Sequence, residues 1–227
     1  GKVLGYILDR ILFQEELLAE LSNSCTVRRE CKVTSVLPKD QYQEITLSSN
    51  EVIKAKTIID ASGPYSSLGL TNGITKPKIS AEPAIYAIVE GVTQRTDTVH
   101  LQMSGEYSPG GYVWLFPVSE DVVNVGIVLG KEYTENMNLR ATLTDYIEKF
   151  LPEGKIVSWH GGAIPSFTES KKLATERFVQ CGDAGGLVNP ITRSGISESM
   201  YSGKCAAEAA IEMVRSEEEC ISIAEKY

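Results

Sequence analysis

Two groups of residues combine types and spacing that suit chemistry. The first follows a short apolar run, Phe178-Val179, which reads as a buried strand and stops at Cys181-Gly182-Asp183. Gly185, Gly186 and Gly195 come next, with Pro190 among them, and a helix-like segment begins near Ser194. Glycines let backbone N–H groups approach a ligand closely. The helix start beyond them offers unpaired donors and partial positive charge, suited to phosphate or another electron-rich group. Asp183, just past the strand, can accept hydrogen bonds from sugar-like hydroxyls. The second group is Pro109-Gly110-Gly111-Tyr112-Val113-Trp114-Leu115-Phe116-Pro117. On a strand, Tyr112, Trp114 and Phe116 share a face because successive side chains alternate. Three aromatics in line form an apolar wall with two polar tips, suited to a long hydrocarbon ligand; core packing would use the same stripe.

These groups need elements to hold them. Asp9 to Leu21 repeats apolar residues at helical spacing, with Asp9 as cap and Asn23 near the end, and reads as an amphipathic helix. Thr26 to Val36, Glu44 to Leu47 and Thr57 to Asp60 read as three strands of a meander, punctuated by Lys39-Asp40 and Ser48-Ser49-Asn50. The last runs into Ala61-Ser62-Gly63, a turn at a strand's carboxyl end, where open α/β sheets bind ligands. Ala84 to Val89, Val99 to Met103, Gly111 to Phe116 and Val122 to Leu129 predict an antiparallel sheet, its last two strands joined at Ser119-Glu120-Asp121. Leu139 to Phe150 predicts a second amphipathic helix, ended by Pro152. Gly161-Gly162 in the following strand allows close approach of a ligand or another strand. Met200 to Val214 predicts a helix whose small residues, Ser202, Gly203, Ala206, Ala207 and Ala210, permit close packing on a sheet. Glu217-Glu218-Glu219 reads as a solvated helix start.

At 227 residues the chain can bury one sizeable core or two small ones. A net charge of −8 without a basic block argues against nucleic acid. No apolar run approaches the ~20 residues that span a bilayer. Cys25, Cys31, Cys181, Cys205 and Cys220 are scattered, without CxxC spacing, and suit reduced thiols in a cytosol. His100 and His160 cannot make a histidine-rich metal site.

The ordered string Gly182-Asp183-Ala184-Gly185, Asn189-Pro190-Ile191-Thr192, Gly195-Ile196, Met200-Tyr201-Ser202-Gly203 and Ala206-Ala207-Glu208 resembles the second flavin-binding motif of the hydroxylase-like FAD proteins. The resemblance implies that Asp183 binds the ribityl chain of FAD, that Pro190 lies by the isoalloxazine ring, and that the Gly195-Ile196 turn points a helix start at it. Relatives have Thr-Gly-x-Gly-Ile where this chain has Thr192-Arg193-Ser194-Gly195-Ile196. Arg193 therefore either narrows the approach to the flavin or points to solvent. Ala61-Ser62-Gly63 stands where this group has Ala-Asp-Gly-x-x-Ser, with its acid one position earlier at Asp60.

Three further strings narrow the resemblance to the geranylgeranyl reductase family. Gly5-Tyr6-Ile7-Leu8-Asp9-Arg10 matches a G-Y-x-x-D-R segment, which implies that Arg10 lies close to FAD. Pro109 to Pro117 matches Pro-x-x-Tyr-x-Trp-x-Phe-Pro, followed by Asn124-Val125-Gly126. Gly161-Gly162-Ala163-Ile164-Pro165 matches a Gly-Gly-x-x-Pro strand.

The family implies a mixed α/β (α+β) fold: a partial Rossmann-like FAD-binding domain (residues 1–70 and 166–227) with an inserted antiparallel-sheet substrate domain (71–165). It also implies a Gly-x-Gly-x-x-Gly unit that this sequence lacks, an expected N-terminal segment of about 80–100 residues. The expected activity is reduction of prenyl double bonds in isoprenoid lipid precursors. Tyr112, Trp114, Phe116, Gly161 and Gly162 would line the substrate site, and Tyr112 would assist protonation. Ala61, Gly63, Gly182, Asp183, Pro190, Gly195, Ile196 and Arg10 would hold FAD. Ferredoxin or a nicotinamide cofactor is the expected electron donor, and a cytoplasmic protein with peripheral membrane contact the expected setting. An aromatic hydroxylase or halogenase of the same superfamily, and a flavin-free hydrophobic-ligand carrier, are the alternatives.

Overall fold

The structure, a computed structural model, describes residues 6–74, 80–93, 95–166, 172–216 and 219–227. Gly5 of the G-Y-x-x-D-R string and Glu217-Glu218 lie outside the described residues. The chain divides into two compact units, residues 1–30 with 83–162, and residues 31–82 with 163–227.

In the first unit, α1 (Arg10–Leu21) is capped by Asp9, whose carboxylate accepts from the N–H groups of Ile11 (3.0 Å) and Leu12 (3.1 Å). The expected amphipathic helix is there, but none of its residues is buried. The sheet runs in the order β6 (His100–Gln102), β7 (Tyr112–Pro117), β8 (Val122–Val128), β5 (Ser80–Glu90), β9 (Lys155–Ser166). The four strands expected between Ala84 and Leu129 all form, and β7, β8 and β5 pair antiparallel. Alternation divides their side chains between two faces. Val113, Val123, Val125, Ile127, Ala87 and Val89 turn inward with Leu143, Tyr146 and Ile147 of α2 (Leu139–Phe150). Each Val, Ile or Leu among them contributes about 1.5–3 kcal/mol on leaving water. Tyr112, Trp114 and Phe116 turn to the other face.

In the second unit, β1 (Val33–Pro38), β2 (Gln43–Leu47) and β3 (Val52–Ala55) form the meander. Two expectations are corrected here. Thr26 to Lys32 is not strand, and the third strand of the meander is Val52–Ala55 rather than Thr57–Asp60. Asn50, in the left-handed region at φ 67°, closes the tight β2–β3 turn. The apolar Ile58-Ile59-Asp60 strand, β4, instead pairs in parallel with β11 (Phe178–Gln180), which in turn pairs antiparallel with β10 (Ala174–Thr175). The described part of the expected Rossmann-like sheet is thus this one parallel pair and its antiparallel neighbour.

The long helix α3 starts at Ile196 rather than Met200 and ends at Arg215, followed by α4 (Cys220–Lys226). Its small residues Ser202, Ala206, Ala209 and Ala210 are buried, as close packing on β11 requires, whereas Ala207 is exposed. Ala206 and Ala209 pack with Val179, Cys181 and Met213 and with Ile223 and Ala224 of α4.

Candidate functional site

β4 and β11 end side by side. Gln180 is level with Asp60, and the Cys181 N–H donates to the Asp60 carbonyl at 3.1 Å. Beyond β11 the chain makes one short turn of helix, Gly182–Gly185, and beyond β4 the turn through Ala61 and Gly63. Gly182 is required: its φ is +54°, and a Cβ there would stand 2.9 Å from Ser199 Oγ on α3. Its N–H donates to Ser202 Oγ at 3.0 Å. The strand end is therefore tied directly to the helix.

That tie brings Asp183 to the start of α3. Its Oδ1 lies 3.6 Å from where a Cβ on Gly195 would stand, so the acid, Gly182 and Gly195 converge. Gly195 occupies the cap position without any side-chain capping bond, which leaves backbone donors of the first turn of a 20-residue helix to other partners. Pro190, on the intervening loop, and Ile196 are exposed. Asn189 shapes that loop by accepting from the N–H groups of Ile191 (3.0 Å) and Thr192 (2.9 Å).

Asp60, buried at 3% exposure, organises the facing turn. Its carboxylate accepts from Ser62 N–H (3.1 Å), Ser62 Oγ (2.6 Å), Ser66 Oγ (2.6 Å) and Gln180 Nε2 (2.8 Å). Burial pushes this carboxyl up, but the hydrogen bonds outweigh burial and hold it below the ordinary value. Burial first, and the Asp60 charge second, push the neighbouring Cys181 thiol up, so it stays a neutral packing group. Gly63, at φ +87°, has nothing within 4 Å of a Cβ position, and the same holds for Gly186 at φ +68°. Gly63 is half-buried, whereas Gly186 is buried with Gly182 and Gly185.

Arg193 does not point to solvent, one of the two sequence expectations. Its φ is +57°, and its guanidinium engages both carboxylate oxygens of Glu82, with each side chain only 13% exposed. Sequence reasoning missed Glu82 altogether, since 111 residues separate it from Arg193. It also missed Gln180 and Ser66; Ser62 and Ser66, at +2 and +6 from a buried acid, were the available signal.

Seven of the eight residues expected to hold the cofactor fall in the second unit: Ala61, Gly63, Gly182, Asp183, Pro190, Gly195 and Ile196. Arg10 lies in the first, exposed at the start of α1. The residues present fit the flavin end of FAD. They supply partly exposed glycine backbone at Gly63 and Gly195, an uncapped long-helix start and an acid for hydroxyls.

The expected substrate residues fall in the first unit. Tyr112, Trp114 and Phe116 share one face of β7, with ring centroids 6.1 Å and 6.2 Å apart. Trp114 lies across Gly126 of β8, where a Cβ would come within 2.0 Å of the indole, and its Nε1 donates to Asn124 Oδ1 at 3.0 Å. Gly161 lies beside β5, a Cβ there being 3.4 Å from the Ala84 carbonyl, and Gly162 has nothing within 4 Å. Among the described residues no cluster of His, Cys, Asp or Glu could hold a metal, no disulfide joins the cysteines, and no helix is long and apolar enough to cross a membrane.

The fold is one shared by flavin-dependent enzymes. The flavin-dependent halogenase CmlS superposes with a TM-score of 0.76 over 96% of this chain and 42% of its own, at 20% identity. A geranylgeranyl bacteriochlorophyll reductase-like protein from Thermoplasma acidophilum superposes with a TM-score of 0.90 over 100% of this chain and 60% of its own, at 26% identity. Residues 81–164 match the geranylgeranyl reductase catalytic domain. Digeranylgeranylglycerophospholipid reductase 1 of Methanococcoides burtonii is 32% identical over 100% of this chain. Over its full length the chain is similar to proteins of the geranylgeranyl reductase family. It spans 57% of the length of that relative.

Proposed function

We propose that this chain acts as an FAD-dependent oxidoreductase that reduces prenyl double bonds of an isoprenoid lipid precursor. One observation carries the reading: Gly182, Asp183 and Gly195 converge at the carboxyl edge of the β4/β11 pair, beside an uncapped long-helix start. The substrate class comes from the reductases this chain resembles, and the aromatic face of β7 has matching chemistry.

Reduced FAD, when bound, supplies hydride equivalents. Asp183 would accept hydrogen bonds from hydroxyls of FAD, and Pro190, the Gly195-Ile196 turn, Ala61 and Gly63 would hold the cofactor with it. Tyr112, Trp114 and Phe116 hold the prenyl chain and keep water from it. The Tyr112 hydroxyl holds the proton destined for the second carbon. The electron donor is a ferredoxin or a nicotinamide cofactor, and the lipid is met at a membrane surface.

The test is the visible spectrum of the complete gene product and its D183A variant, followed by product analysis. The reading expects bound FAD that D183A loses, and a saturated prenyl product. A hydroxylated or halogenated aromatic product would replace the reductase with the related flavoenzymes. A colourless protein that takes up no added FAD would leave only a hydrophobic-ligand carrier.

A further inference from the structure

The face of the five-stranded sheet turned away from α2 carries a lateral row of side chains. Leu101 on β6 is level with Trp114 on β7, Trp114 with Gly126 on β8, and Gly126 with Tyr86 on β5. His160 on β9 completes the row, its ring stacked on Tyr86 at 4.7 Å and 16°. Four interstrand gaps make the row about 19 Å long. Its length is apolar: Leu101 is exposed, and the indole bridges the gap left by Gly126. Its far end is polar. His160 is exposed, and Ser158 Oγ lies 3.0 Å from its Nε2. Among the described residues His160 has no carboxylate partner.

We propose that His160, with Ser158, is the headgroup end of this row and binds the phosphate of a prenyl phospholipid whose hydrocarbon lies along Tyr86, Gly126 and Trp114. The inference rests on the prenyl-lipid reading above and deepens it. An apolar track that ends in a donor pair is amphiphilic, as such a lipid is. Stacking on Tyr86 fixes the imidazole plane, and with one proton shared between Ser158 Oγ and His160 Nε2 the pair keeps a further N–H or O–H to donate to a phosphate oxygen. A purely hydrocarbon ligand would leave this end without a role.

The test titrates geranylgeranyl phosphate, geranylgeraniol and inorganic phosphate against the complete protein and its H160F and H160Q variants, read by tryptophan fluorescence. Phenylalanine keeps the stack on Tyr86 and removes the donor. The expected result is about tenfold weaker binding of geranylgeranyl phosphate by H160F, partial recovery in H160Q, and unchanged binding of geranylgeraniol. Inorganic phosphate, which lacks the hydrocarbon, should compete only weakly. Equal loss for phosphate and alcohol, or no loss for either, would overturn the headgroup role while leaving the prenyl reading standing. Inorganic phosphate binding as tightly as geranylgeranyl phosphate would make this an isolated anion site and also overturn it. Failure of the wild-type protein to bind either prenyl compound would remove both readings together.

Discussion

Arg193 reaches Glu82 across 111 residues of sequence and grips it two-handed, Nε to one carboxylate oxygen and Nη2 to the other at 3.2 Å. It does so from a left-handed backbone conformation, φ +57°, which costs an ordinary side chain about 1–2 kcal/mol. The bidentate pair offsets that cost and anchors the loop between Asn189 and Gly195 to the start of β5. Breaking the pair by E82A leaves a largely buried guanidinium and should destabilise by on the order of 3 kcal/mol. R193G removes the backbone strain together with the charge, so the R193G/E82A double variant should lose clearly less than the two single losses added, a coupling of at least about 1 kcal/mol. Urea unfolding of the four proteins measures it, and simple additivity would refute a working pair.

Gly126 makes room for Trp114. A methyl group there would overlap the indole at 2.0 Å, so G126A must push the ring out of its place and away from Asn124. The expected cost is about 1–3 kcal/mol, with a shift in tryptophan emission. Adding W114A to G126A should recover most of the loss attributable to the clash. If G126A melts like the wild type with unchanged emission, the close packing is wrong.

Asp60 makes acid sensitivity predictable in sign. Its folded carboxyl sits below the ordinary value, so its contribution to stability is complete above the unfolded carboxyl's value of about 3.9 and drains away as the pH falls toward the folded value. D60N should be less stable at neutral pH yet lose less on acidification. Unfolding followed from pH 6 to pH 2 separates the two proteins; parallel curves would mean that Asp60 titrates alike folded and unfolded.

Tyr112 and seven of the residues proposed to hold FAD lie in different units, so their effects should separate. Y112F should leave FAD content intact and lower turnover. Unchanged turnover would remove the proton role from Tyr112 and leave it as part of the wall.

Local pattern carried a good part of the fold. Asp9 and Leu139–Phe150 fell where capping and period predicted, and the strands from Ala84 to Leu129 formed because alternation with turn residues is written into consecutive positions. The aromatic stripe was legible for the same reason: on a strand, spacing by two is enough to put Tyr112, Trp114 and Phe116 on one face.

Other features had no local signature. Ile58-Ile59-Asp60 is a short apolar run that would suit a meander or a parallel sheet equally, and only the arrival of Phe178–Gln180 beside it decided the matter. Arg193 could be placed only once Glu82 had been brought to it. By itself, the sequence determined the elements, the glycine-rich turn and the aromatic face, because these depend on neighbours within a few residues. Tertiary structure decided which strand ends meet at Asp183 and which carboxylate holds Arg193. It also set His160 at the end of the aromatic row, because those relations join residues far apart in the chain and exist only after the backbone has closed.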